Sequence, residues 1–357
     1  MKIGILSMQE VKNYGSFLQA FSLKKNIEAL GHTCKFINIV PGEQIGMYKQ
    51  SKFHKITLLI KRIWGWDFLK RIKYIYRFQM RFSKEFLPYL GVAKGVTKEH
   101  FDIAVIGSDE VFNCTQKTWF GFSKQLFGEG LNADKVITYA ASFGATTVSK
   151  LEELRIKNII SDLLKKINTI SVRDENSYKV IKDLIHIEPQ ISVDPVLIYD
   201  YSQYMPSKVD LENYMIVYTY PGRITNRFEI NEIKKFAKDK NLILVSIGHY
   251  FSWVDKVITP NPFEVLAYFR DADYIITDTF HGSVFSLKFN KQFCTLVRKM
   301  NNNKLTYLLK QFSLSSRIIN KLEDLERIMT LKINYTPINE KIAEEKKRSL
   351  LYLKENL

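Results

Sequence analysis

The chain has 357 residues, 46% of them hydrophobic, and a formal charge of +16. That length suggests two domains with cores of their own, and the charge implies an anionic partner: a membrane surface, a nucleic acid or a phosphorylated substrate. No apolar run reaches the length of a membrane span, the strand-like start Met1–Met8 lacks the pattern of a secretory leader, and Cys34, Cys114 and Cys294 have neither zinc nor disulfide spacing, so a cytoplasmic protein is expected.

Lys2–Ser7 reads as a strand, Asn13-Tyr14-Gly15-Ser16 as a loop, Phe17–Leu30 as a helix stopped by Gly31, and Cys34–Val40 as a second strand. This strand-loop-helix-strand opening suits a doubly wound sheet. One glycine makes the loop a poor dinucleotide fingerprint. Ser16 would cap the helix, with Asn13 and Gly15 either plain turn residues or backbone facing a cleft. Residues 52–86 are strongly basic, with Trp64, Trp66, Tyr76 and several Leu and Ile interleaved at helical spacing and a break near Gly65. Two solvated surface helices explain this pattern, and so does docking on an anionic membrane. No nucleic-acid-binding module accompanies the charge, so no nucleic acid partner is expected.

Asp102–Ile106 is a buried strand that delivers Gly107, Ser108, Asp109, Glu110 and Asn113 to its carboxyl end. Asp109 could orient or deprotonate a hydroxyl, or form a turn that caps a following helix. Lys135–Ala140 is a strand ending in Ser142 and Gly144, Leu151–Ile167 a helix, and Thr169–Val172 a strand closed by Arg173-Asp174-Glu175. Arg173 could grip a carboxylate or phosphate with two N–H groups, or pair with Asp174 or Glu175. Lys179–Leu184 is a helix, Ile191–Val193 a strand, and Asp200–Asn213 a polar linker.

A second sheet follows. Met215–Tyr220 and Leu242–Gly248 are strands around the helix Phe228–Lys238, and His249, at the carboxyl end of the second strand, reads as a surface residue first and as a cleft-facing one second. Pro262 opens another helix. Tyr274–Ile276 is a short buried strand; Thr277, Asp278 and Thr279 follow it, then Phe280-His281-Gly282-Ser283 as a turn before a helix over Val284–Phe289. This is the ligand edge of an open α/β sheet. A helix start offers N–H groups to an anion, and an imidazole there is a natural acid or base. The plain reading is that Asp278 satisfies His281. Helices over Leu305–Gln311 and Leu322–Leu331 precede a charged terminal helix, Ile338–Glu355. No metal-ligand cluster is evident.

Asn13-Tyr14-Gly15, "IGSDEVFN" (106–113), "YAASFG" (139–144), "SVRDENS" (171–177), Asp194-Pro195 and "TDTFHGSVFSLKFNK" (277–291) occur in this order. Together they resemble the polysaccharide pyruvyl transferase family. Glu110 and Phe112 stand where that family commonly has Gln and Trp, and Thr279 where many relatives have Arg. The resemblance implies an α/β protein of two Rossmann-like doubly wound domains facing across a cleft (GT-B-like), spanning residues 1–200 and 212–335, with a helical insertion near 50–90 and residues 336–357 returning to the first domain. It implies phosphoenolpyruvate as co-substrate, no cofactor or metal, and a sugar acceptor on a nucleotide, lipid or polymer carrier, made into a cyclic pyruvate ketal; the basic segment 52–86 leaves open whether the cytoplasmic protein also docks on the inner membrane face. The implied roles are His281 as acid and Asp109 near the acceptor hydroxyl; Arg173, Gly282 and Ser283 on the donor, with Arg298 or Lys288 replacing the missing Arg; and Asn13, Gly15, Ser108, Asn113 and Ser142 along the cleft. The rival readings are a nucleotide-sugar glycosyltransferase on the same fold and a non-catalytic membrane-surface protein.

Overall fold

The computed structural model describes residues 1–45, 66–92, 99–298 and 302–357. Among these, twelve strands form two six-stranded sheets, all parallel within each sheet. The first has the order β2-β1-β3-β4-β5-β6, with β1 Lys2–Leu6, β2 Thr33–Phe36, β3 Phe101–Asp109, β4 Ala133–Ala141, β5 Ser171–Val172 and β6 Gln190–Ile191. The second has the order β12-β11-β10-β7-β8-β9, with β7 Tyr214–Tyr218, β8 Ile243–Ile247, β9 Lys256–Ile258, β10 Tyr274–Thr277, β11 Gln292–Leu296 and β12 Ile318–Ile319. Central strands such as Ile103-Ala104-Val105-Ile106 and Met215-Ile216-Val217 are buried, as parallel sheets covered on both faces require. The strand order reverses between β1 and β3 and again between β7 and β10. In such sheets the crevice outside the strands' carboxyl ends at the reversal is where ligands bind.

Two helices bring these reversal points together. Helix α1, Tyr14–Ala29, begins three residues earlier than the apolar spacing suggests, because Asn13 and not Ser16 caps it: its Oδ1 accepts the Gly15 N–H at 2.8 Å. The helix is buried almost all round, since it packs on its own sheet and on the other domain. The strap helix α2, Trp66–Arg81, runs into a π turn, Phe82–Phe86. Residues 50–65 of the expected insertion, with the break near Gly65, lie outside the described residues. Helix α3, Phe280–Lys288, also begins early: Thr279 Oγ1 accepts the Gly282 N–H at 2.9 Å, so His281, Gly282 and Ser283 belong to the first helical turn rather than to a preceding loop.

Other boundaries shift for identifiable reasons. The single helix expected over Leu151–Ile167 is two, Val148–Glu153 and Lys157–Leu164, interrupted where Arg155 adopts a left-handed φ of 57°. Leu322–Leu331 likewise splits into a 3-10 turn, Leu322–Asp324, and a helix, Leu325–Thr330. No regular helix follows Asp109, so the residue caps none. Helix α4, Asn302–Gln311, connects β11 to the edge strand β12 of the second sheet. Helix α5, Thr336–Asn356, lies against the first sheet: Tyr352 Oη donates to the Thr138 carbonyl at 2.8 Å, and the Val193 N–H donates to Ser349 Oγ at 3.2 Å.

Candidate active site

A cavity of about 260 Å³ lies between the two sheets, at both strand-order reversals. Met8, Asp109 and Glu110 reach it from the carboxyl ends of β1 and β3, and Asn13 and Ser16 from the start of α1. Tyr218 ends β7, and Tyr220 and Arg223 follow it. Asp278, Thr279, Phe280 and His281 follow β10, and Lys304 comes from α4. Its size, near the low end of ligand pockets, suits a small molecule. Among the described residues no group of three or more His, Cys, Asp or Glu is arranged to hold a metal.

His281 and Asp109 face one another across the domain boundary. The imidazole, 9% exposed, packs against the backbone of Gly15, and a Cβ built there would lie 2.2 Å from His281 Nδ1. Glycine is therefore required by close approach, which no local sequence signal states. On the ring's other side Nε2 lies 3.4 Å from Asp194 Oδ2, an electrostatic contact that misses hydrogen-bond geometry. His281 is thus held by Asp194 from the first domain, not by Asp278. Asp109 follows a cis Gly107–Ser108 peptide and sits at φ 78°, a left-handed conformation aspartate tolerates better than most residues. Ser16 Oγ donates to its Oδ2 at 2.9 Å.

Arg173 does not line the cavity. It is 4% exposed, with Nη1 2.8 Å from Asp194 Oδ2, Nη2 3.4 Å from Asp109 Oδ1, and its guanidinium carbon 4.0 Å from the Phe280 ring centroid. Neither Asp174 nor Glu175 is its ion-pair partner: Asp174 caps the helix Glu175–Ile185. Burial pushes the Asp109 carboxyl up, but His281 and Arg173 outweigh it and hold the group below the usual carboxylate range. The same balance of burial against His281 and Arg173 depresses Asp194. The imidazole and one buried guanidinium together therefore keep two carboxylates ionised.

The remaining expected residues divide. Asn13 lines the cavity and donates through Nδ2 to Tyr220 Oη at 3.0 Å, across the domains. Ser108 is turned inward to Gln19 Oε1 at 2.8 Å, Ser142 to Asp174, and Ser283 to the Thr279 carbonyl at 3.1 Å; all three are fully buried. The Gly282 N–H is taken by Thr279, so it is not offered to an anion. Asn113 donates to Glu110 Oε2 at 2.7 Å and so steadies a cavity residue instead of being one. Thr279 does not stand in for an arginine; it caps α3. Neither suggested substitute reaches the cavity: Lys288 Nζ donates to the Tyr199 carbonyl at 2.7 Å, and Arg298 pairs with Glu229.

Two cations that sequence reading passed over do reach it. Arg223 Nη1 lies 3.2 Å from Asp278 Oδ2, and Lys304 pairs with Glu110. Burial raises the Asp278 carboxyl despite Arg223. Burial would lower the Lys304 ammonium, but Glu110 outweighs it and the group is held up. A short loop and a helix-surface lysine carry no local mark of such a role. His249, expected on the surface, borders the Asn13 side of the cleft, 5.4 Å from the Tyr220 ring, and burial and then Arg223 lower it to about 4.

A sequence model of polysaccharide pyruvyl transferases matches residues 13–299. The chain belongs to the polysaccharide pyruvyl transferase family. That is a transferase family, and the match takes in His281, Asp109, Asp194 and Arg223, though not Lys304. A search of curated proteins finds no match. Among solved structures, the UDP-GlcNAc 2-epimerase of Methanocaldococcus jannaschii in complex with UDP-GlcNAc and UDP is 12% identical, with a TM-score of 0.53, covering 99% of this chain and 100% of that one. The UDP-GlcNAc 2-epimerase of Neisseria meningitidis bound to UDP-GlcNAc is also 12% identical, with a TM-score of 0.51 and all of both chains covered. At that identity the likeness is one of fold: this family member is a two-domain Rossmann-like protein of the GT-B type.

Proposed function

We propose that the protein transfers the pyruvate unit of phosphoenolpyruvate onto two hydroxyls of a sugar, forming a cyclic ketal in polysaccharide biosynthesis. The observation that carries this reading is the meeting of His281 and Asp109, from different domains, over one small cavity that also holds Arg223 and Lys304. In the proposed reaction His281 gives a proton to the methylene carbon of phosphoenolpyruvate, which leaves the adjacent carbon electrophilic. A sugar hydroxyl adds there and releases its proton to Asp109. The C–O bond to phosphate breaks with its electron pair going to phosphate, and the second hydroxyl closes the ring and releases its proton. One proton enters the methyl group and two leave the sugar, so the balance passes to the departing phosphate. General acid–base groups of this kind contribute about 10²–10⁴ in rate.

Arg223 and Lys304 take the donor's carboxylate and phosphate in this scheme. Each now holds a carboxylate, Asp278 or Glu110, so the donor exchanges with an existing partner rather than filling an empty cation site. Asp278, whose carboxyl burial already pushes up, is the acid that gives up its partner at the smaller cost. Arg173 acts through Asp109 and Asp194 and does not touch the donor.

The test is incubation of the protein with phosphoenolpyruvate and a panel of glycan acceptors, free and carrier-linked. Phosphate release together with an acceptor mass gain of pyruvate less water is the expected result. Turnover of nucleotide sugars with no reaction of phosphoenolpyruvate would replace this reading with glycosyl transfer.

A further inference from the structure

Helix α2 buries one side and exposes two kinds of chemistry on the other. At about 100° per residue, Leu69, Ile72, Ile75 and Tyr76 fall within an arc of about 120°, and they are 64%, 47%, 46% and 64% exposed. Lys70, Lys73 and Arg77, all exposed, occupy the adjoining arc. Singly exposed apolar residues need no explanation, but a continuous stripe does. The helix cannot roll to hide it. Phe78 on the buried side meets Tyr14 edge to face at 5.4 Å, and Arg81 donates to the Thr259 carbonyl of the other domain.

We propose that this face of α2 docks on an anionic lipid bilayer. A second copy of the chain fits poorly, because two columns of Lys and Arg on molecules of charge +16 would repel. Nucleic acid phosphates would use the basic arc and leave the apolar stripe in water. A bilayer surface with acidic headgroups satisfies both arcs, the stripe entering the acyl boundary and the cations the headgroup layer. Among the described residues no helix is long and apolar enough to cross a membrane, and the contact proposed for α2 is one with the bilayer surface.

Docking there also gives a second cavity a use. Gln79 and Ser83, beside the stripe, line a groove of about 1010 Å³ together with Trp119, whose indole is 57% exposed. Val11 and Thr118 line both this groove and the smaller cavity, so the two are neighbours. The bilayer contact then sets the groove's mouth at headgroup depth, where a sugar on a lipid carrier would enter. That last use rests on the proposed ketal-forming reaction; the docking does not.

Flotation with vesicles separates the two. The protein should float with vesicles of phosphatidylglycerol and phosphatidylcholine at low salt, and less so at high salt or with phosphatidylcholine alone. Leu69→Ser/Ile72→Ser/Tyr76→Ser should lower the bound fraction at least tenfold. Lys70→Glu/Lys73→Glu/Arg77→Glu should abolish the preference for phosphatidylglycerol, each basic residue near such a surface contributing about fivefold. All six side chains are solvent-exposed, and circular dichroism checks that both variants remain folded. Wild-type protein that stays unbound at low salt, or binding unchanged in both variants, overturns the proposal. So does a wild-type dimer that the serine variant turns into a monomer, since the face would then belong to a second copy. Vesicle binding without any reaction of phosphoenolpyruvate would leave docking intact and remove only the proposed reaction.

Discussion

The N-terminal wall of the cavity presents Asp109 and Glu110, with Asp194 behind them; the C-terminal wall presents His281, Arg223 and Lys304, with Asp278 as the acid among them. The two walls hold each other. Lys304 pairs with Glu110, His281 meets Asp194, Asn13 bonds Tyr220, and Arg173 lies on the Phe280 ring. The C-terminal cations are thus partnered by carboxylates, so in the proposed reaction the anionic donor would bind by exchange. This differs from a site of unpaired cations, where burial without partners would be costly. It also separates two positions that a basic residue can take: Arg173 is buried behind the cavity and, with His281, keeps acids ionised, while Arg223 and Lys304 line the cavity itself.

Removing the imidazole breaks the comparison most directly. His281→Ala should lower kcat by about 10²–10⁴ with the fold retained by circular dichroism; activity within tenfold of wild type removes His281 from the chemistry. Arg173→Met should act on stability instead. It strands Asp109 and Asp194 beside each other, and breaking a buried ion pair costs about 3–5 kcal/mol, measurable by urea denaturation. The pH dependence gives the sign. Both carboxyls are depressed in the folded protein, so their contribution is present above the unfolded value of ~3.9 and lost as pH falls through the folded one. Without Arg173 the depression weakens to what His281 supplies, and the cost of the substitution should shrink in acid; a cost independent of pH would point to lost packing.

His249 sharpens the comparison from the C-terminal side. Its value near 4 lies below the usual histidine range, so the stability it carries is complete above ~6.5 and declines as pH falls toward 4. His249→Gln should flatten the stability profile over that window by about 2 kcal/mol, allowing for its partial exposure. The smallest effect belongs to Lys304→Ala. It should raise the KM for phosphoenolpyruvate about tenfold, or ~1.4 kcal/mol, with little change in acceptor KM. An unchanged donor KM assigns Lys304 to holding Glu110 alone.

Much of the architecture was legible because buried parallel strands are written as short apolar runs ended by polar residues. Ile103–Ile106 leading to Asp109, and Tyr274–Ile276 leading to His281, both declare a sheet's ligand edge. The helix starts at Asn13 and Thr279 were harder, since several neighbouring polar residues could cap and backbone geometry chooses among them. The roles of Ser108, Ser142 and Ser283 were hidden for a similar reason: a small hydroxyl at a strand end or in a first helical turn can face a ligand or a neighbouring backbone, and these three face inward. Gly144 shows the opposite case. Its motif is conspicuous, but its use, leaving room for Glu110 Oε2 where a Cβ would sit at 2.6 Å, appears only in three dimensions.

Apolar periodicity and the order of the motifs were enough to determine two α/β halves, the family, and the strand ends at which polar groups gather. Partnership across the cleft was decided by tertiary structure alone. Lys304 and Glu110 are 194 residues apart, and Arg223 reaches its place from a short loop. Helices and strands are specified by neighbours within a few residues, so their periods show in the chain. Which buried charge faces which depends on how two sheets are set against each other, and that relation has no period to read.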